Sequence, residues 1–252
     1  MCEHPGEQVN LKPGETLDDL TRNGMKVIQS RAGYRFSMDS VLLAHFADVK
    51  PGDEVLDLGC GSGVISFLLV SRQPSCRITG LEIQPELADR ARRGAKRNGI
   101  DDRIDIINGD LRQAEVFLEK RRFNLIVANP PFWRDGEGKP NPEPERLVAR
   151  HEVYAVLEDY IEAARRWLVP GGLLAMIHRA DRVLELGVLC ADKGLTVKKL
   201  RFIHPYLGRE ANLVLVEAVK GSKFGVKILP PLVVYNSDGD YTEEILRIYS
   251  EG

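Results

Sequence analysis

Four consecutive residues, Asn129, Pro130, Pro131 and Phe132, combine groups that could hold a planar amine. They end the apolar run 124–129, whose composition predicts a buried strand. Two prolines stop a strand and stiffen the backbone, which fixes the carbonyl group of Pro130 beside the amide of Asn129. Each of these two oxygens can accept one N–H of an amine. Phe132 then supplies a flat surface on which a base can stack.

A second motif, VLDLGCGSG at residues 55–63, predicts a strand that enters a glycine-rich turn. Gly59, Gly61 and Gly63 would let the backbone approach a ligand closely at the carboxyl edge of a parallel sheet. The spacing is GxGxG rather than the GxGxxG of dinucleotide-binding proteins, and no GKS or GKT follows, which argues against a P-loop.

Acidic residues end the next two predicted strands. Glu82 follows the glycines by about twenty residues, where a carboxylate can accept both hydroxyl groups of a ribose. Asp110, in the sequence NGD, could accept a hydrogen bond from an adenine amino group. Together with the glycine turn, these acids predict a cofactor that contains adenosine.

The Asn-Pro-Pro-Phe element indicates which adenosine cofactor this is. The exocyclic amine of a base is a poor nucleophile because its lone pair is delocalised into the ring. Two acceptors at Asn129 and Pro130 would orient the amine in line with the methyl group of S-adenosylmethionine and draw its nitrogen toward tetrahedral geometry. Such a reaction depends on positioning and electrostatics and needs no strong general base.

The elements that must position these residues alternate as βαβ units. Strands are predicted at 54–59, 77–83, 103–108, 124–129 and 172–178, with helices at 85–99 and 157–172. Residues 195–205 and 211–220 predict an antiparallel hairpin that closes the sheet edge, and 25–47 predict a short hairpin followed by a helix. We expect an N-terminal extension with a hairpin at 1–31, the main domain at 32–221, and a strand and helix tail at 222–252 packed on it.

Composition sets outer limits on function. The 252 residues carry a formal net charge of −2, so an anionic partner would have to bind at local patches. No apolar run reaches the ~20 residues that span a bilayer. Four scattered cysteines show no metal-ligand spacing and fit a reducing compartment. We therefore expect a cytoplasmic protein without a membrane segment or a structural metal; nothing specifies its oligomeric state.

The motifs VLDLGCGSG, GLEIQ, NGD and NPPF, in this order, resemble those of class I S-adenosylmethionine-dependent methyltransferases. The resemblance implies an α/β, seven-stranded, doubly wound Rossmann-like sheet, mostly parallel with an antiparallel C-terminal hairpin. Further stretches, at 34–47, 149–152, 209–221 and 227–236, resemble the bacterial family that methylates N6 of the adenine next to the anticodon of a valine tRNA. An RNA substrate, most simply a tRNA, follows from that resemblance.

The resemblance also implies roles for individual residues. The catalytic clamp would be Asn129, Pro130, Pro131 and Phe132. Residues expected to contact S-adenosylmethionine are Asp39, Ser40, Asp57, Gly59, Gly61, Gly63, Glu82, Ile83, Asp110, Leu111 and Asn129. Residues that could meet phosphates of the RNA are Arg150, His151, Lys198, Lys199, Arg201 and Arg209.

Two alternative reactions fit the same motif. Phenylalanine at the place of Phe132 also occurs in enzymes that methylate guanine N2 in ribosomal RNA. Enzymes that methylate the glutamine amide of release factors share the Asn-Pro-Pro logic, although they usually carry an additional N-terminal helical domain. A DNA adenine methyltransferase would need a separate target-recognition domain, for which this sequence offers no segment.

Overall fold

The computed structural model describes residues 10–21, 24–32, 36–132, 155–223 and 225–250. Within these residues, one large sheet contains nine strands, and β1 (Glu15–Asp19) and β2 (Lys26–Ser30) form a separate antiparallel pair. The strands of the large sheet are β3 (Glu54–Leu58), β4 (Arg77–Glu82), β5 (Ile104–Asn108), β6 (Phe123–Ala128), β7 (Leu168–Arg179), β8 (Leu195–Tyr206), β9 (Leu213–Lys220), β10 (Lys227–Ile228) and β11 (Leu232–Tyr235).

The order of the strands confirms the predicted fold class. Strands β5, β4, β3, β6 and β7 are parallel neighbours in that order, and β9 lies antiparallel between β7 and β8. These are the seven predicted strands. Because β8 is antiparallel to β9, it runs in the same direction as β7. The two short strands β10 and β11 pair in parallel with the outer side of β8, so β8 is not the edge strand that the sequence suggested.

Helices cover both faces of the sheet. One apolar core contains residues of α1 (Met38–Phe46), α2 (Val64–Arg72), α3 (Pro85–Arg97) and α7 (Glu243–Ser250). The other contains residues of α4 (Glu115–Leu118), α5 (Leu157–Trp167) and α6 (Val183–Asp192). The central strand β3 is buried on both sides, as expected for a parallel strand between two helical layers.

Two local predictions were wrong. Pro170, Gly171 and Gly172 were expected to end a helix, but α5 ends at Trp167 and β7 begins at the next residue. The strand accommodates these residues because Gly171 has a φ of +77° and the pairing with β6 shifts register there. The strand-like run near residue 25 pairs with the upstream strand β1 rather than with a downstream partner.

The parallel strands deliver their carboxyl ends to one side of the sheet, which we call the carboxyl edge. The glycine turn after β3, Glu82 on β4, Asp110 after β5 and Asn129 after β6 all lie there. In the described ranges, no helix is long and apolar enough to cross a membrane, and no group of His, Cys, Asp and Glu side chains is placed to hold a metal ion.

Candidate active site

A cleft with an empty volume of about 980 Å³, part of it open to solvent, lies at the carboxyl edge. It brings together most of the residues that the motifs single out: Ser40, Gly59, Gly61, Glu82, Ile83, Asp110, Leu111, Asn129 and Pro131. Other predicted residues lie outside its lining: Asp39, Asp57, Gly63, Pro130 and Phe132. The cleft therefore unites the glycine turn, both acidic strand ends and the clamp amide, although these are distant in sequence.

The glycine turn is held by the strand beside it. The backbone N–H of Gly59 donates to the Leu81 carbonyl (2.8 Å), and that of Gly61 donates to Oε2 of Glu82 (2.9 Å). The other oxygen of Glu82 accepts from the backbone N–H of Gln84 (2.8 Å). A carboxylate oxygen can accept more than one hydrogen bond, so Glu82 keeps acceptor capacity toward the cleft. It both shapes the turn and remains able to receive ribose hydroxyl groups.

Asp57 lies beneath the glycine turn and is fully buried. Its Oδ2 accepts a hydrogen bond from the Ser66 hydroxyl (2.7 Å), and its Oδ1 has no hydrogen-bond partner among the described residues. Burial raises the pKa of Asp57 to about 7, the bond from Ser66 opposes the rise, and the charge of Glu82 adds to it. Because Asp57 is buried and does not line the cleft, its position favours a role in supporting the glycine turn over direct contact with the cofactor.

Asp110 is engaged by its own loop. Its carboxylate accepts from the Arg112 backbone N–H (2.9 Å) and pairs with the Arg112 guanidinium (2.5 Å). The hydrogen bonds from Arg112 lower the pKa of Asp110, so the carboxylate stays ionised. An adenine amino group would therefore share this acceptor with an exposed arginine.

The clamp amide is oriented by the start of helix α1. Nδ2 of Asn129 donates to the Ser40 hydroxyl (3.3 Å), and Oδ1 accepts no hydrogen bond from the described residues. Asp39, beside Ser40, accepts from the Ser37 hydroxyl (2.7 Å), and burial raises its pKa. Asn129 lines the cleft, and its Oδ1 has no donor among the described residues.

The neighbour of Phe132 is a residue that the sequence motifs did not indicate. The ring of His178, near the end of β7, lies 5.6 Å from the Phe132 ring, with a tilt of 58°. His178 is fully buried; its Nδ1 accepts from the Arg179 backbone N–H (2.9 Å), and its Nε2 has no partner among the described residues. Burial lowers the pKa of His178 to about 4, which keeps the ring neutral. A histidine one residue before the end of a parallel strand was the only available signal.

The residues predicted to contact phosphates do not gather at one site. Lys199 pairs with Glu217 (2.7 Å), Arg201 pairs with Glu244 (2.7 Å), and Lys198 donates to the carbonyl of Lys223 (3.2 Å). These contacts lie along β8 and hold it to neighbouring segments. Arg209 is exposed in the link between β8 and β9. Arg150 and His151 lie outside the described residues, and a role for any of the six in RNA binding stays a prediction.

The residues that line the cleft fit the chemistry of S-adenosylmethionine. Among the described residues, apart from Gly61 and its chain neighbours, no atom lies within 4 Å of the position that a Cβ of Gly61 would take, so a ligand can approach this backbone. Ile83 and Leu111 offer apolar surface beside the two acidic residues, as an adenosine requires. The buried Ser40 lines the cleft on the side where the methionine end is expected.

Comparison with known proteins decides the family. The family model described as "Methyltransferase small domain" matches residues 35–185, more than half of the chain. The chain belongs to this family. A methyltransferase of this family uses S-adenosylmethionine, so the predicted cofactor and the predicted class of enzyme are confirmed.

Several relatives resemble this methyltransferase over nearly their whole length. It is 32% identical to the tRNA1(Val) (adenine(37)-N6)-methyltransferase of Porphyromonas gingivalis, over 87% of this chain and 89% of that protein. The enzyme of the same name from Aeromonas hydrophila is 28% identical, over 89% of this chain and 92% of that protein. The crystal structure of a "predicted O-methyltransferase" from Agrobacterium tumefaciens superimposes with a TM-score of 0.68 at 25% identity, covering 84% of this chain and 95% of that one.

Proposed function

We propose that this methyltransferase transfers a methyl group from S-adenosylmethionine to the exocyclic N6 of an adenine in tRNA, next to the anticodon. The names of its relatives in Porphyromonas gingivalis and Aeromonas hydrophila supply the substrate. The observation in the molecule that carries the proposal is the position of Asn129: it lines the cleft, its Nδ2 donates to Ser40, and its Oδ1 has no donor among the described residues. An enzyme acting in this way on tRNA would work in the cytoplasm.

The bound cofactor supplies an electrophilic methyl group. Oδ1 of Asn129 and the carbonyl oxygen of Pro130 each accept one N–H of the adenine amine, which aims the nitrogen lone pair at the methyl carbon. When bound, S-adenosylmethionine would donate its methyl group to the nitrogen held by Asn129 and Pro130, with the sulfur as leaving group, and the amine would release one proton to solvent. Phe132 stacks on the base.

The neutral state of His178 supports this arrangement. A protonated imidazole beside the Phe132 ring would place a positive charge next to an amine that gains positive charge as it is methylated. Burial of His178, which keeps its pKa at about 4, removes that repulsion near neutral pH. The Phe132 ring therefore packs on an uncharged neighbour where it would meet the base.

An adenine in the anticodon loop is a physically reasonable target for a protein of this composition. The nucleotide is already unpaired, so presenting it to the clamp costs less than opening a duplex. The formal net charge of −2 gives no global attraction to nucleic acid, which suits recognition through a few local contacts.

The proposal is tested by incubating the protein with methyl-labelled S-adenosylmethionine and, separately, bulk tRNA, ribosomal subunits, DNA and a release factor. We expect label in tRNA and its recovery as N6-methyladenosine after digestion to nucleosides. A valine tRNA transcript with guanine in place of adenine 37 should accept no label. Label recovered as N2-methylguanosine, or found in protein alone, would contradict the adenine assignment and favour one of the two alternatives.

A further inference from the structure

Four tyrosine side chains form a continuous row of ring contacts outside the cleft. The centroids of Tyr206 and Tyr235 are 5.4 Å apart, those of Tyr235 and Tyr241 are 5.4 Å apart, and those of Tyr241 and Tyr249 are 5.8 Å apart. The last two pairs are stacked, with interplanar angles of 16° and 21°. We call these four residues the tyrosine row.

The tyrosine row lies on the same side of the sheet as the cleft. Strands β8 and β11 run parallel to each other and in the direction of β7, and they end at Tyr206 and Tyr235, which are register partners. Their ends are therefore on the carboxyl edge, with Asn129. Tyr241 follows the turn after β11 and forms a bridge with Tyr235. The tyrosine row therefore lies on the carboxyl edge, at the ends of β8 and β11 and in the segments that follow β11.

The inner end of the row reaches the residues that orient the clamp. Tyr249 belongs to α7, which packs against α1. Burial and the neighbouring Tyr241 raise the pKa of Tyr249 to about 12, and the charge of Asp39 contributes to the rise. Asp39 precedes Ser40, whose hydroxyl receives the hydrogen bond from Asn129. A short series of neighbours thus connects the tyrosine row with the target-base clamp.

The outer end of the row is open. Tyr206 is 42% exposed and Tyr241 is 38% exposed, whereas Tyr235 and Tyr249 are half-buried. The ring of Tyr206 has one ring neighbour within the described part of the chain, so much of its remaining surface is available to a partner. Arg209, in the same link, is exposed, and its backbone N–H donates to the Tyr206 carbonyl (3.1 Å).

We propose that the open end of the tyrosine row, at Tyr206, is a base-stacking surface for an unpaired nucleotide that flanks the target adenine of the RNA. The inference rests on the proposed function, because only a polynucleotide substrate would extend from the clamp along this edge. Rows of aromatic rings bind single-stranded RNA because every base has a face that can stack on them. Arg209 would meet a phosphate at the outer end.

Local charge indicates that bases rather than phosphates face the row. The turn after Tyr235 carries Asp238 and Asp240, both exposed, which would repel a phosphate backbone laid across it. Neutral bases are not repelled in this way. A cavity beside Tyr206 and Tyr235 is also lined by Asn236, whose Oδ1 accepts from the backbone N–H groups of Asp238 and Asp240 and whose Nδ2 can donate to a base edge.

The test is the affinity of an RNA hairpin with the anticodon loop sequence of a valine tRNA, measured by fluorescence anisotropy for wild type, Tyr206→Ala, Tyr206→Phe and Tyr241→Ala. We expect Tyr206→Ala to bind about ten-fold more weakly, the typical effect of losing one stacked base. Tyr241→Ala should lose less affinity, because the Tyr241 ring stacks on Tyr235 and Tyr249 and only supports the row. Tyr206→Phe should bind like wild type because stacking does not need the hydroxyl group. Leu246→Ala, at an exposed residue of α7 outside the row, is the matched control.

Two further readouts separate stacking from a loss of structure. The affinity for S-adenosylmethionine should be unchanged in every variant, and ultraviolet cross-linking of wild type to the hairpin should label peptides that contain Tyr206 or Tyr241. Equal RNA affinity of Tyr206→Ala and wild type would overturn the proposal, as would equal weakening of Tyr206→Phe and Tyr206→Ala. In both cases wild type would still methylate the RNA, so the stacking proposal would fail while the proposed function stood. If wild type neither binds nor methylates any RNA, the proposed function itself fails.

Discussion

The carboxyl edge has two halves: the cofactor half contains the glycine turn, Glu82 and Asp110, and the base half contains Asn129 and Phe132. The two halves differ in how far the chain satisfies the polar groups that line the cleft. On the cofactor half, Glu82 accepts from two backbone N–H groups and Asp110 is paired with Arg112. On the base half, Asn129 has one hydrogen bond, and its Oδ1 has no donor among the described residues. Below the lining, each half also holds one buried atom without a partner there, Oδ1 of Asp57 and Nε2 of His178. We infer that the cofactor half is shaped before a ligand binds, whereas the base half would be completed by its ligand.

This difference has a physical reason. A carboxylate can accept several hydrogen bonds, so Glu82 can hold the glycine turn and still bind a ribose. The Oδ1 of Asn129 is proposed to accept an N–H of a poorly nucleophilic amine. It could not do so if another donor already occupied it. The unsatisfied groups of the base half cost stability, which is a usual feature of sites that act on a ligand.

The largest expected effect comes from removing the clamp amide. Asn129→Ala should lower kcat by about 10²- to 10³-fold, the range seen when one preorganised electrostatic contact to a transition state is lost. The affinity for S-adenosylmethionine, measured by calorimetry, should change little, because Glu82 and the glycine turn remain. Turnover close to wild type would show that the base half does not depend on this amide.

A graded variant tests the orientation of the amide. Ser40→Ala keeps Asn129 but removes the hydroxyl that receives its Nδ2–H. Loss of one neutral hydrogen bond is worth about 1 kcal/mol, so kcat should fall by about five-fold. A drop as large as that of Asn129→Ala would assign Ser40 a more direct role.

The two acids of the cofactor half should differ from each other. Glu82→Gln should weaken S-adenosylmethionine binding by about 10- to 100-fold, because it removes charge-assisted bonds to the ligand and to the glycine turn. Asp110→Asn should weaken it less, since Arg112 already occupies part of that carboxylate. Calorimetric titration of both variants, with the exposed Glu86→Gln as control, measures the difference. A larger effect at Asp110 would reverse the proposed ranking.

Short contiguous motifs explain why the cofactor half was predictable from the sequence. The glycine turn and the acids at 82 and 110 each follow a strand directly, and the strand order places them at one cleft. The fold class followed from the same alternation of strands and helices. Periodicity could not place Pro170 to Gly172 inside a strand, because a shift of register with β6 accommodates them.

Contacts between distant residues explain what was missed on the base half. Ser40 and Asn129 are 89 residues apart, and no local pattern pairs them. His178 reads in the sequence as a polar end of an apolar strand, and only the fold brings it against Phe132. The ion pair of Lys199 with Glu217 likewise depends on the pairing of β8 with β9. Polar pairing across the sheet is decided by tertiary structure.

The buried His178 should make stability depend on pH. Its pKa is about 4 in the folded protein and about 6.5 when unfolded, so the unfolded state binds more protons in this window. Stability should therefore rise with pH from about 4 to about 6.5 through this residue. His178→Phe keeps an aromatic ring against Phe132 but cannot titrate.

Urea unfolding of wild type and His178→Phe at about pH 7.5 and about pH 5 measures this contribution. The free energy of unfolding of wild type should fall relative to the variant by about 2 kcal/mol at the lower pH. Asp57, whose pKa is raised to about 7, acts in the opposite direction but is present in both proteins, so it cancels in the difference. A pH-independent difference would show that His178 is not held neutral by burial.

The smallest expected effect compares two glycines of the turn that shapes the cofactor half. Gly61 and Gly63 have φ values of +57° and +88°, so alanine at either position adds about 1 kcal/mol of backbone strain. A Cβ at Gly63 would also lie 2.8 Å from Cε1 of the buried Phe67, whereas at Gly61 no atom lies within 4 Å. Gly63→Ala should therefore be less stable than Gly61→Ala by about 1 to 2 kcal/mol in urea unfolding.

The order should reverse for ligand binding, because Gly61 lines the cleft and Gly63 does not. A methyl group at Gly61 occupies space where the cofactor approaches the backbone, so Gly61→Ala should weaken S-adenosylmethionine binding more than Gly63→Ala does. Calorimetric titration of the two folded variants decides the point. If Gly63→Ala lost more affinity than Gly61→Ala, the turn would act on the cofactor through its overall shape and not through close approach at Gly61.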